Sequence, residues 1–327
     1  MELVKKVDQF IIILSYDKQP STLKRYRYDL MQFIRWLESI RGCSSSTSLP
    51  STEELSSYYT YLNTGELYSQ NTIRRILSVM KNWFIHEQLE EQVTILSSLI
   101  EQTNRKSSSN ESIHFFNKHE IKRIFQTLRS YNGLTDKQKQ YRHMIKDRNE
   151  AIFLLILHYG LTIQELTSLT INHIHFTSNE LELTSRKGKE RKIDISQDAR
   201  RKLFEYYMKI PIALRPNRYD SHHFFIAFDY QRGTYRWDIE NDCGKRLSDV
   251  AIQKMIRQEM KRAGFTGQIS CQYLRKSYII NLFLNGVSKE AIQHKLAFET
   301  KQPLDRLELV ASRLSKEKLA YSLDYKS

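Results

Sequence analysis

Residues 269–298 read ISCQYLRKSYIINLFLNGVSKEAIQHKLAF. Apolar residues at three- and four-residue steps predict helices over residues 274–285 and 289–296, and Asn285-Gly286 supplies the break between them. A similar small-residue turn with helical apolar spacing occurs earlier, in YGLTIQELTSLTINHI at residues 159–174. Either segment has the spacing of a helix-turn-helix, whose second helix can enter a DNA major groove.

Between these two segments the period changes. Residues 148–169 hold the most apolar helix of the chain, and the stretches 174–176, 181–184 and 191–195 then alternate. That switch predicts a small antiparallel sheet, with Lys187-Gly188-Lys189 at a basic hairpin tip. Further helices are expected over residues 118–129, 198–208 and 248–263, with 135–148 as a charged connection. On the N-terminal side, helices are expected over residues 21–37, 52–62 and 69–89. In the first of these Leu23, Tyr26, Leu30, Phe33, Ile34 and Leu37 share one face. NRKSSSNES at residues 104–112 contains no apolar side chain and reads as a linker. The expected fold class is therefore mainly α with a small antiparallel β-sheet, in two domains: residues 1–104, a linker at 105–112, and residues 113–327.

The 327 residues carry 51 Lys+Arg against 37 Asp+Glu, a net charge of +14. Such an excess concerns partners rather than fold, and it points to a polyanion. The longest apolar runs, 11–14 and 151–157, are far below the ~18 residues of a membrane span, and the N-terminus lacks a signal-peptide pattern. A cytoplasmic protein with no membrane partner is expected. Cys43, Cys243 and Cys271 are too scattered for a disulfide framework, and no histidine pair has metal-site spacing. No metal or cofactor is expected.

Two N-terminal helices concentrate the polar chemistry. Lys24, Arg25 and Arg27 lie opposite the apolar stripe of the first, and Gln70, Asn71, Thr72, Arg74, Arg75 and Lys81 lie at the start and along one side of the third. Hydroxyls, amides and guanidiniums near a helix start suit phosphate, because unpaired backbone N–H groups point the same way.

The order of these segments resembles the tyrosine recombinases, the phage integrase family. Thr22, Tyr26, Asp29, Leu30, Phe33, Trp36 and Leu37 match a TxxxYxxDLxxFxxWL pattern, and a TIRRxLSxxKxxF helix follows. The segment at 159–174 resembles the GLRxxELxxLxxxDI box, RKGKERKIDIS resembles the GKGxKERxVPL hairpin, and residues 269–298 resemble the ISPHxLRHTFATxLLxxGxxxxxIQxLLGH box. The resemblance implies a tyrosine-recombinase-like fold, in which a helical, SAM-like core-binding domain and an integrase catalytic-type domain close around duplex DNA. It also implies a nucleophilic tyrosine and two arginines on the non-bridging oxygens of the scissile phosphate.

Most of those positions are changed. Thr162 stands where the first arginine belongs, Lys187 matches the hairpin lysine, and Gln272 replaces the first histidine. Arg275 keeps the second arginine and Lys276 replaces the next histidine. Phe298 falls on the last histidine and Leu307 on the nucleophile. Leucine cannot attack phosphorus, and phenylalanine cannot donate a proton. What this leaves, Lys187, Arg191, Arg275 and Lys276, can attract phosphate without chemistry.

The expectation is therefore a sequence-specific double-stranded DNA-binding protein without recombinase activity. It would be a transcriptional regulator, foremost a prophage repressor that maintains lysogeny, similar to the integrase-like repressors of SPbeta-type prophages. Operator-like DNA would be its partner, with a homo-oligomer on DNA and a regulatory protein or peptide as further ones. The alternative is an active or accessory recombinase whose nucleophile is displaced to Tyr321 or Tyr325, beyond an expected helix at 312–319.

Overall fold

The stretch Ala151 to Leu157 has no polar face, and every side chain in it is buried. In a computed structural model of the chain this stretch lies within the helix Asp136–Tyr159, which threads the core of the larger of two compact units, residues 1–112 and 113–327. The structure describes residues 2–42, 49–65, 68–107, 115–184, 188, 190–217, 221–267 and 269–314.

The first unit is five helices: α1 (Glu2–Leu14), α2 (Pro20–Arg41), α3 (Thr52–Thr64), α4 (Gln70–His86) and α5 (Glu90–Ser107). Phe33 is fully buried at its centre, edge-on to Tyr58 with ring centroids 4.9 Å apart and edge-on to Phe84 at 6.5 Å. Such aromatic pairs add about 1 kcal/mol each beyond the area they bury. Ser51 and Glu54 form a reciprocal capping box at the start of α3, worth about 1 kcal/mol. The helix expected to reach residue 89 stops at His86, because Gln88 takes φ +59° and turns the chain into α5. Helix α5 then runs to Ser107, into the segment expected as linker.

The second unit is helical around one small sheet, so the fold is mainly α with small antiparallel sheets. Its elements are α6 (Lys118–Arg129), α7 (Asp136–Tyr159), α8 (Ile163–Ser168), β1 (Ile174–His175), β2 (Glu180–Thr184), β3 (Glu190–Asp194) and α9 (Gln197–Lys209). Two short hairpins follow, β4 (Phe228–Asp229) with β5 (Thr234–Tyr235) and β6 (Trp237–Asp238) with β7 (Cys243–Gly244). The last elements are α10 (Asp249–Arg262), α11 (Cys271–Leu284), α12 (Lys289–Lys295) and α13 (Gln302–Arg313). Strands β1, β2 and β3 are antiparallel in that order, and the register sets Leu181 against Ile193 and Leu183 against Arg191. Leu181, Leu183 and Ile193 point into the core, as period-two burial requires.

One expectation is corrected here. Residues 136–148 are not a connection but the first half of α7, capped by Thr135. Their charges escaped the helical pattern because they are paired inside the protein: Arg142, 2% exposed, donates to Glu259 of α10 at 2.5 Å and to the Leu128 carbonyl at 2.6 Å. The helix expected at 312–319 lies mostly outside the described residues; before it, Leu304, Leu307 and Ala311 of α13 form one buried face against α11. Residues 315–327 lie outside the described residues. No helix among the described residues is long and apolar enough to cross a membrane, and no group of His, Cys, Asp or Glu among them could hold a metal ion.

Candidate active site and nucleic-acid interface

Gly160 ends α7 in the left-handed conformation, φ +67°, and a Cβ there would stand 2.6 Å from the Tyr278 ring. Only glycine allows both the turn and the approach of α11. The reversal places Thr162 at the N-cap of α8. Its hydroxyl accepts from the Glu165 amide at 3.2 Å, while Glu165 Oε2 accepts from the Thr162 amide at 2.8 Å and its hydroxyl at 2.9 Å. At the position where the family resemblance called for a phosphate-binding arginine, the structure thus has a capping residue.

Glu165 is the hub of the site. Arg191 of β3 donates from Nε to Glu165 Oε1 at 2.8 Å, with side-chain exposures of 7% and 5%, and its Nη1 donates to the Lys295 carbonyl at 3.0 Å. Burial alone would raise the Glu165 carboxyl, but the Arg191 hydrogen bond and charge, the Thr162 amide and the Arg275 charge hold it below the ordinary value. Arg275 of α11 is half-buried, donates from Nε to the Gly160 carbonyl at 2.7 Å, and lies 4.9 Å from the centroid of the Phe298 ring. Burial pulls its guanidinium below the ordinary value, opposed by Glu165 and reinforced by Arg191. An arginine does not lose its proton in a protein, so the charge stays.

The remaining family positions sit around this hub. Gln272 is exposed on the first turn of α11, and Lys276 rests 5.1 Å from the Tyr273 ring. Leu307 is 5% exposed, packed in the apolar cluster that joins α11 to α13. Lys187 lies outside the described residues, as do Tyr321 and Tyr325. A groove of about 1070 Å³ adjoins the hub, walled by His158, Tyr159, Arg191, Tyr278, Lys295 and Phe298 among others. Two tyrosines line it. The Tyr159 hydroxyl accepts from the Ser196 amide at 2.9 Å, and burial pushes Tyr278 up to about 12.

In the N-terminal unit the expected DNA-binding residues divide. Lys24 and Arg25 are exposed on α2, Lys81 is half-buried on α4, and none of the three has a hydrogen-bond or ion-pair partner among the described residues. Arg75 is instead paired with Asp29 of α2, whose side chain is 3% exposed. Arg74 donates to Asn104 of α5 at 2.8 Å and to Asn71. Gln70 donates to Asn63 at 3.0 Å, the Thr72 hydroxyl meets Ser69 at 3.0 Å, and Arg27 pairs with Asp8 at 2.8 Å. Arg74, Arg75 and Gln70 therefore join helices to one another. Glu165 was not singled out in the sequence, although T-x-x-E before an apolar run is the signature of a capping box. The convergence of Arg191 on it depends on the β2–β3 register.

This arrangement, a five-helix unit followed by a helical unit around a small antiparallel sheet, is that of an integrase-type protein. The chain belongs to the phage integrase family: the model described as "Phage integrase family" matches residues 114–306, and that for "Phage integrase, N-terminal SAM-like domain" matches residues 7–88. The tyrosine recombinase XerC of Lactobacillus leichmannii is 22% identical over 294 residues, covering 89% of this chain and 90% of the relative. The tyrosine recombinase XerD of Halalkalibacterium halodurans is 23% identical over 279 residues, covering 82% and 88%. Among solved structures, the Tn1549 transposon integrase with circular intermediate DNA superposes with a TM-score of 0.67 at 13% identity, covering 94% of each chain. A lambda integrase dimer bound to a COC' core site gives 0.63 at 15% identity, covering 96% of this chain and 79% of that one. These two likenesses concern the fold.

The relatives overturn two expectations. A non-recombinase transcriptional repressor and a protein without enzymatic activity were expected from the changed positions, whereas the similar chains, matched over most of their length, are tyrosine recombinases, which are enzymes. The changed family residues do not by themselves remove the chain from that activity.

Proposed function

We propose that the protein is a DNA recombinase that acts on duplex sites by tyrosine chemistry, with its nucleophile displaced to Tyr321 or Tyr325. The observation that carries this reading is the similarity to tyrosine recombinases over about nine-tenths of both chains. Arg275 supports it from the site: a guanidinium seated on the Gly160 carbonyl keeps its terminal nitrogens for the non-bridging oxygens of a phosphodiester, where charge builds up as phosphorus is attacked. The attacking tyrosine Oη would form a phosphotyrosyl ester and release a hydroxyl. Because the ester replaces the phosphodiester in kind, resealing by that hydroxyl needs no nucleotide cofactor.

Leu307 has no nucleophilic atom and is buried, so the tyrosine has to come from elsewhere, and Tyr321 and Tyr325 follow α13 in the chain. Duplex DNA is the partner, and Lys24, Arg25 and Lys81 supply phosphate contacts that add salt-dependent affinity. Neighbours in complex with DNA, one of them a dimer, support assembly of more than one copy on a site. Thr162, Gln272 and Phe298 favour a second reading, an accessory recombinase that holds the site while another subunit cuts.

The test begins by recovering bound sites through crosslinking of the tagged full-length protein in its own host, then placing two copies on a plasmid. Recombinant product that disappears with Tyr321→Phe or Tyr325→Phe supports the displaced nucleophile. Product only when another recombinase is added supports the accessory role. Bound but unchanged plasmid under both conditions contradicts the proposal.

A further inference from the structure

Position 162 offers a hydroxyl where the phosphate clamp requires a second guanidinium, and that hydroxyl is already bonded within the cap of α8. A guanidinium reaches the same place by another route. Arg191 arrives from β3 and binds the other oxygen of the carboxylate that Thr162 holds, so Thr162 and Arg191 are joined through Glu165. Its Nη1 is taken by the Lys295 carbonyl. Its Nη2 is buried and has no hydrogen-bond partner among the described residues, which for a buried charged donor is costly.

Charge points the same way. Arg191 and Arg275 both act on Glu165 and repel each other, so two buried or half-buried cations share one carboxylate and the cluster carries a net +1. Arg275 is bonded only through Nε, and among the described residues its terminal nitrogens have no hydrogen-bond partner. A site with one excess positive charge and unbonded N–H groups on two guanidiniums is completed by an oxyanion with several acceptor oxygens.

We infer that Arg191 supplies the guanidinium that position 162 lacks, and that Arg191 and Arg275 together form a two-arginine fork for one phosphodiester. This rests on the proposed recombinase reading and assigns a phosphate-contacting role to a strand residue. The Phe298 ring lies over Arg275 and lines the same groove as Arg191.

The experiment uses the full-length protein labelled with [15N]arginine and titrated with inorganic phosphate, following the Nε–H resonances. Arg191 and Arg275 are expected to shift together on one saturation curve. Arg191→Lys, which keeps a cation on Glu165 but loses the fork, should weaken phosphate by about tenfold, the scale of one charge-assisted hydrogen bond. Arg191→Gln should weaken it further, and adding Thr162→Arg to that variant should restore binding, which a merely structural Arg191 would not permit. A shift of Arg275 alone, or unchanged affinity in Arg191→Lys, overturns the inference and leaves the recombinase reading intact. Unchanged phosphate affinity in Arg275→Gln as well would take the site itself, and that reading with it, out of consideration.

Discussion

The carboxylate of Asp29 is nearly sealed from water, and Arg75 is the cation that holds its charge there. Removing Arg75 leaves a buried carboxylate unpaired, so Arg75→Ala should lower stability by about 3 kcal/mol, seen as a reduced denaturant midpoint. Lys24→Ala and Arg25→Ala should leave that midpoint within about 0.5 kcal/mol, yet each should weaken DNA binding and reduce its salt slope by about 1. Equal stability for all three variants would contradict this division. His158 makes a second case. Burial lowers its pKa from 6.5 to about 4, so the unfolded chain binds a proton that the folded chain refuses between those values. Stability contributed by the neutral ring is present above about pH 6.5 and is lost as pH falls towards 4, by about 3 kcal/mol in all. Thermal melts at pH 7 and pH 4.5 should show a smaller acid loss in His158→Asn than in the wild type. At this scale the sequence showed that Thr162 is not an arginine. It could not show that Arg191, paired across β2–β3 and bonded to a carbonyl 104 residues away, points at the same carboxylate.

Helix boundaries were legible where a local signal sets them. Helix α6 occupies the residues its pattern predicts because Asn117 and Glu120 form a capping box at its start. The first half of α7 was not legible, since Arg142 is satisfied by Glu259, 117 residues on, and a charge paired at that distance looks like a surface charge in sequence. The turn between α7 and α8 is where element geometry bears on the site. Gly160→Ala would force a left-handed alanine and press a methyl group on Tyr278, a combined cost of about 3 kcal/mol. It would also move the carbonyl that seats Arg275, so phosphate affinity should fall together with stability. A Gly160→Ala protein with wild-type melting and wild-type phosphate binding would show that the turn has other ways to close.

Across the whole molecule, the chain falls into two compact units, residues 1–112 and 113–327. The +14 charge signalled a polyanion, but its distribution over paired and unpaired cations depends on tertiary contacts such as Arg27 with Asp8 and Arg75 with Asp29. Family membership was legible in three ordered boxes, whereas the inference from missing residues to missing activity was not sound. It treated the catalytic set as fixed positions, although what phosphoryl chemistry requires is a nucleophile and compensating charge within reach of one phosphate. That requirement can be tested at the bond itself. Full-length protein incubated with its crosslink-identified site carrying a nick beside the cleavage position should yield a denaturant-resistant protein–DNA adduct. Peptide mapping should place the DNA on Tyr321 or Tyr325, and the corresponding Phe variant should lose it. A protein that saturates the nicked site and forms no adduct, alone or with an added recombinase partner, would contradict the account.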